Sequence, residues 1–356
     1  MQRIPHPSGS VITFDPKWHQ YKMGNTALRS VSKLLDKYFP FDKERILQLV
    51  SRKTGESVDA IERKWSRQAL LGKNIHSYIE ARLLGQPPPT FMLLLQNQQK
   101  RAADGTAPTE GARRAEEELL HGEEARYLPV ADAAVTRILE HYHVVAVEQV
   151  VAAPDWGIAG TIDFIGLNKR NQHILIGDWK TSGSVVSNFR FGSFESPCIG
   201  CLAHLPNSKL YRYAMQTFIY GEILKRERYF EKGFFDAAIQ SARLQQEAAL
   251  AASEAAPTDS KKKKVKSGRV AKGKKGKNTT VADATGVVSS TLIDPSIYRN
   301  STRVADMLEY GIVQLSKDDA DAVVVEYKEV NGSMVLPPDA LEMSFYNLLQ
   351  KVMMGL

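Results

Sequence analysis

Residues 144–182 constrain this chain more than any other stretch, because they hold three β-rich runs, two turns and three carboxylates at one repeated spacing. The first run, 144–152, is crowded with valine, as a strand buried on at least one face would be. Pro154-Asp155-Trp156-Gly157 then supplies turn chemistry. A second run, 159–167, is broken by residues 168–172, and a third spans 173–180. Two hairpins in succession predict a three-stranded antiparallel meander.

Glu148, Asp163 and Asp178 stand fifteen residues apart, each pair centred on its own turn. In a meander without bulges they form one cross-strand row, with Cβ atoms about 4.5–5.5 Å apart and like charges destabilising the sheet. A bound hard cation would offset that repulsion, and Mg²⁺ prefers oxygen ligands, often one or two carboxylates with water and substrate phosphate. Lys180 lies two residues beyond Asp178, so strand alternation puts its ammonium on the carboxylate face. There a lysine can hold an attacking water or stabilise developing charge.

Asp163 with Asp178-Trp179-Lys180 resembles the core of the PD-(D/E)XK nucleases, and the subtype is similar to the RecB-like nucleases. Two flanking segments extend the likeness in that family's order. Gly72-Lys73-Asn74-Ile75-His76-Ser77-Tyr78-Ile79-Glu80 resembles its Gly-x-x-x-His-x-x-x-Glu helix, and Gln216-Thr217-Phe218-Ile219-Tyr220 its Gln-x-x-x-Tyr element. The N-terminal Trp18-His19-Gln20-Tyr21 lead is similar to that of the mitochondrial genome maintenance exonucleases.

The resemblance implies an α/β fold, a restriction-endonuclease-like mixed sheet flanked by helices. It implies Mg²⁺ or Mn²⁺ on His76, Asp163, Asp178 and the Trp179 backbone carbonyl, with Glu148 on a metal-bound water or behind the ligands. Lys180 would orient the attacking water, while Gln216 and Tyr220 would help hold substrate. Tyr213 shares their helix face at i, i+3 and i+7, and Glu80 lies one turn beyond His76 as a positioning residue. The implied activity is metal-dependent hydrolysis of phosphodiester bonds by a DNA exonuclease acting on DNA with a single-stranded end, in DNA repair or replication. Two other readings remain at this level: a nucleic-acid-binding protein on the same scaffold that no longer cuts, and a zinc-dependent interaction protein built on Cys198, Cys201 and His204.

Helical spacing alone gives His76 a plainer role. Val58, Ile61, Trp65, Ala69, Gly72, His76, Ile79 and Leu83 form one stripe, which predicts a core-facing helix that Ser57 caps. Ser30 is a further N-cap candidate, a second helix is expected to begin at Asp42, and another is expected after Ser208. His19 and Tyr21 read as a lead-in that covers the core, with substrate contact the lesser reading. Arg190, in the loop after Lys180, is as suited to solvent as to a phosphate.

Charge is uneven. The run 259–278 holds nine lysines and Arg269 against Asp259, while the whole chain carries only +7, so the rest is slightly acidic. Nucleic-acid affinity must then come from a local groove, a metal or that run. Two cysteines argue against a disulfide-built secreted domain. The N-terminus lacks a signal-peptide apolar region and no run could span a bilayer, so an intracellular protein is expected, in mitochondrion or nucleus, with its oligomeric state open. The whole reads as one domain, its core 58–226 plus 290–356, with insertions at 85–127 and 237–289.

Overall fold

The computed structural model describes residues 1–89, 110–181, 197–255, 292–315 and 323–326. The runs 93–100 and 341–352, for which the sequence predicts helices, lie outside them, as do Arg190 and the lysine-rich run.

The chain opens with a four-stranded antiparallel meander: β1 (Gln2–Pro5), β2 (Val11–Asp15), β3 (Gln20–Met23) and β4 (Thr26–Ser30). Ser30, Asp42 and Ser57 then cap α1 (Val31–Leu35), α2 (Lys43–Thr54) and α3 (Val58–Leu83), each side chain accepting a first-turn N–H. Such caps contribute about 1 kcal/mol each.

A long helix, α4 (Glu110–His141), follows. The expected insertion at 85–127 is corrected here, because residues from Glu110 onward continue into the helix that feeds the sheet. Pro129 lies inside this helix, where a proline costs roughly 3 kcal/mol. Burial of Leu120, Tyr127, Val130 and Ala131 against α3 offsets that cost. Polar pins add to it: Tyr78 donates to Asp132, Arg67 pairs with Glu116, and Asn74 donates to the buried Glu124.

The expected meander follows as β5 (Tyr142–Ala153), β6 (Ile158–Asn168) and β7 (Ile174–Lys180), antiparallel in sequence. Ser208 caps α5 (Lys209–Arg226), and α6 (Asp236–Ala255) packs Ile239 and Ala242 into the core. The side chain of Gln246 accepts the Ile293 N–H, so this helix is docked, and the insertion at 237–289 starts later than expected. Then α7 (Ser301–Met307) leads into β8 (Leu308–Gln314), parallel to β7, and β9 (Val323–Glu326).

All nine strands belong to one mixed sheet, which makes the chain an α/β protein. On β7, Leu175 and Trp179 pack in the α3/α4 core while Ile174 and Ile176 pack in the α1/α5/α6 core, so helices cover both faces. Among the described residues no helix is long and apolar enough to cross a membrane.

One edge of β6 is shared by two partners. β7 pairs with it from Phe164 to Leu167, and β4 joins in parallel only at Ile158 and Ala159. Between them the ladder is open from Gly160 to Asp163. The sheet forks there, with the N-terminal meander on one branch and β7–β8–β9 on the other.

Candidate metal centre

The fork positions the acidic residues. Ala153 pairs with Ile158 across the turn, and Val147↔Phe164 with Gln149↔Ile162 bracket Glu148 opposite Asp163. The turn-centred spacing therefore has its structural counterpart; the β-bulge on β5, between Val144 and Ala146, falls beyond Glu148 and leaves this register alone.

Strict alternation does not hold, however. Glu148 has φ +48, a left-handed conformation that non-glycine residues adopt at a cost of about 1–3 kcal/mol. Across from it, Ile162 packs in the α5 core and Phe164, two residues on, packs against Trp179 in the α3/α4 core. The period of two breaks between them, at Asp163. Its carboxylate turns into the opening and accepts the Trp179 backbone N–H at 2.8 Å, capping a donor where the β6–β7 ladder ends.

His76 reaches this carboxylate from α3, with Nδ1 3.5 Å from Asp163 Oδ2. The stripe expected to face the core is rotated by about one position. Ile61, Leu71, Ile75 and Ile79 are buried, whereas Trp65, Gly72 and His76 are half-buried and Ala69 is exposed. Gly72 faces the end of β7: a Cβ there would come 3.2 Å from Thr181 Oγ1, so the missing side chain lets α3 approach the sheet.

Ligand atoms of His76, Glu148 and Asp163 lie within 4.8 Å of one another. No other such group of His, Cys, Asp or Glu occurs among the described residues, so Cys198, Cys201 and His204 do not gather a zinc set there. Burial pushes the Cys198 thiol up to about 12, and its Sγ donates to the Pro206 carbonyl.

The expected row of three carboxylates is corrected on one point. Glu148 stands with His76 and Asp163, while Asp178 forms a second group with Lys180. By alternation these two share the face of Ile174 and Ile176. The ammonium lies 2.6 Å from Asp178 Oδ2 and 4.6 Å above the Tyr213 ring of α5. Asp178 is 2% exposed, and its Oδ2 meets the ammonium without the alignment of a hydrogen bond.

Electrostatics tie the two groups together. Burial first, then the Lys180 charge, pushes His76 down to about 4, against weaker raising by Asp178 and the Trp179 backbone, so its imidazole is neutral near pH 7. Glu148 is pushed up to about 8 by loss of solvent, then by the charges of Asp163, Glu80 and Asp178. Asp178 rises to about 6, by burial against the opposing Lys180 charge, and burial also raises Asp163. Burial alone would lower Lys180, but Asp178 and Asp163 outweigh it and keep it a cation.

A divalent ion fits this donor set: a neutral imidazole, carboxylates that repel one another, and a buried carboxylate oxygen without an aligned donor. The resemblance implied His76, Asp163, Asp178 and the Trp179 carbonyl as ligands; the geometry adds Glu148 to the nearest group.

The substrate face expected on α5 is corrected at Tyr220. Tyr220 is 4% exposed and lies flat on Gly160, with Gln216 Nε2 donating to its hydroxyl at 3.0 Å. Tyr220 thus braces β6 from beneath, while the half-buried Gln216 holds its hydroxyl through one amide group. Tyr213 supports Lys180 through its ring. Glu80 is half-buried, its carboxyl raised by burial, and its charge reaches Glu148.

Sequence reasoning missed Thr161, whose Oγ1 meets Tyr21 Oη at 2.9 Å. Its place two residues before Asp163, on an alternating strand, was the available signal.

Fold and site together define an α/β protein with a candidate metal centre at a fork in its sheet. No protein-family model matches the chain, and no curated protein matches it.

Proposed function

We propose that this chain is a metal-dependent nuclease that hydrolyses phosphodiester bonds in DNA, acting as an exonuclease at a single-stranded end. What carries the reading is the convergence of His76, Glu148 and Asp163 from three separate elements, beside the Lys180–Asp178 ion pair. Mg²⁺ or Mn²⁺ held there would neutralise phosphate charge and make a bound water acidic enough to act as nucleophile.

The protein groups divide the remaining work. His76 offers a neutral nitrogen, and Asp163, fixed by the Trp179 N–H, offers its second oxygen. Asp178 and the Tyr213 ring hold Lys180 as a cation, so that residue donates rather than abstracts a proton. It orients the attacking water and stabilises charge on the phosphate oxygens as the bridging P–O bond breaks.

Purified protein with end-labelled single- and double-stranded DNA, in Mg²⁺ or Mn²⁺, tests the proposal. Cleavage should be lost in Lys180→Ala and Asp178→Ala, and blocking a free 5′ or 3′ end should stop it. Cleavage that survives both substitutions would end the assignment of this site. Binding without cleavage by the unsubstituted protein would favour the inactive-scaffold reading.

A further inference from the structure

A chain of hydrogen bonds starts two residues from Asp163 on β6 and runs into the N-terminal meander. Thr161 lies on the open stretch of β6, two residues from Asp163, and its hydroxyl meets that of Tyr21 at 2.9 Å. Tyr21 is 1% exposed, and its Oη also meets His19 Nε2 at 3.1 Å. His19 itself is exposed. Its Nδ1 has no hydrogen-bond partner among the described residues.

The backbone presents this ring at some cost. His19 has φ +50, in a turn where Asp15 Oδ1 accepts the Lys17 and Trp18 N–H groups at 2.9 and 3.3 Å. Packing against Phe14 and Tyr21, at 5.4 and 5.3 Å between ring centroids, fixes the imidazole edge-on. A strained, exposed residue packed against two rings, with one ring nitrogen unpartnered among the described residues, suits a binding role better than a covering one.

Two cations join it. The charges of Lys33, on α1, and Lys73, on α3, both act on His19 and lower its pKa further after burial. Both lysines are exposed and neither is in an ion pair among the described residues. The chain outside the lysine-rich run is slightly acidic, so two exposed lysines whose charges both reach this imidazole, neither in an ion pair among the described residues, are a local departure from the overall charge.

We propose that His19, Lys33 and Lys73 form a phosphate subsite for single-stranded DNA, taking the phosphodiester next to the one at the metal centre. The inference rests on the nuclease reading; it gives His19 of the N-terminal lead a definite ligand and adds Lys33 and Lys73, which lie outside the motifs that suggested that reading. His19 would give a directed hydrogen bond through Nδ1–H, with Nε2 accepting the Tyr21 hydroxyl, while the lysines supply charge. Tyr21 and Thr161 act as positioning residues, because they set the distance from His19 to Asp163.

Fluorescence anisotropy with a labelled single-stranded oligonucleotide, in EDTA across a KCl series, reads the subsite without turnover. His19→Ala should weaken binding about three- to tenfold, and His19→Gln, which keeps a donor, should recover most of that. The Lys33→Ala/Lys73→Ala pair should lower the salt slope by about 1 for each phosphate no longer neutralised. A neutral methylphosphonate beside the cleaved position should weaken binding by the unsubstituted protein and leave a His19→Ala/Lys33→Ala/Lys73→Ala variant unaffected. Melting temperatures near that of the unsubstituted protein would confirm that these variants fold.

If the triple variant binds with the same affinity and salt slope while the unsubstituted protein cuts DNA, the subsite is wrong and the nuclease reading stands. If the unsubstituted protein neither binds nor cuts any oligonucleotide, the nuclease reading falls and the subsite with it.

Discussion

Asp163 accepts the backbone N–H of Trp179 at 2.8 Å, at the point where β6 and β7 part company. One oxygen thus satisfies a main-chain donor that the ladder has abandoned, and the same carboxylate stands opposite Glu148 and beside His76. Structural and ligand roles are joined in one side chain, which makes its isostere informative.

Asp163→Asn keeps an oxygen for the Trp179 N–H and removes a negative charge facing Glu148. We expect the metal-free variant to melt at least as high as the unsubstituted protein, because relieved repulsion is worth a few tenths to 1 kcal/mol. The rise in melting temperature on adding Mn²⁺ should disappear, and cleavage should fall by more than about a hundredfold. Scanning fluorimetry with and without Mn²⁺ reads the first two; an undiminished metal response would remove Asp163 from the ligand set.

Stability should depend on pH in opposite senses with and without metal. Glu148, at about 8, and Asp178, at about 6, sit above their ordinary 4.5 and 3.8, so the folded state binds more protons than the unfolded. Their contribution is present at low pH and lost as pH rises through the folded values. His76, lowered from 6.5 to about 4, works the other way, its cost growing as pH falls below 6.5. Glu148 titrates in the window between pH 6.5 and 8, and the raised Asp163 acts in the same sense, so the metal-free protein should lose melting temperature there. Saturating Mn²⁺ competes with the same proton, and its stabilisation should grow over the same range. A metal-free melting temperature that climbs from pH 6.5 to 8 would contradict the raised Glu148.

Local features of this site were legible in the sequence, and the non-local ones were not. Ser30 and Ser57 cap the helices they were expected to cap, and Asp42 and Ser208 stand as caps at the expected helix starts, because an N-cap is written by one side chain and its next three residues. The Glu148/Asp163 register followed from the tight turn between them. The fork did not, since it depends on β4 meeting β6 more than a hundred residues away, at Arg29↔Ile158. Nor did the broken alternation, because nothing in the letters around Glu148 marks a left-handed residue; a glycine or asparagine there would have. Pro129 inside α4 shows the converse, a local helix breaker overridden by the packing of α4 on α3.

Tyr213 holds Lys180 by its face, 4.6 Å from the ammonium. Tyr213→Phe keeps the ring and should retain most activity, whereas Tyr213→Leu removes a cation–π contact worth about 0.5–2 kcal/mol and frees the lysine. We expect the leucine variant to lose roughly three- to thirtyfold in kcat with a smaller change in KM. Equal losses for both substitutions would point to the hydroxyl, and so to the substrate contact expected from the sequence.

Gly177 and Phe164 form the hinge of the fork, since they are the last ladder pair before the strands separate. A Cβ at Gly177 would come 2.7 Å from Phe164 Cε2 and nearer still to Cζ, and the ring is fully buried against Trp179. Phe164 cannot retreat without moving Trp179, whose backbone N–H anchors Asp163. Gly177→Ala should therefore destabilise the fold by about 1–3 kcal/mol through overpacking and also loosen the metal centre. In urea titrations the midpoint should fall, and Mn²⁺ should bind more weakly to the fraction that remains folded. Pairing it with Phe164→Leu, which opens space beneath the new methyl, should recover part of both losses. A Gly177→Ala protein as stable and as metal-responsive as the unsubstituted chain would show that β7 moves freely against β6, and that the Asp163–Trp179 anchor is not what sets the geometry of the centre.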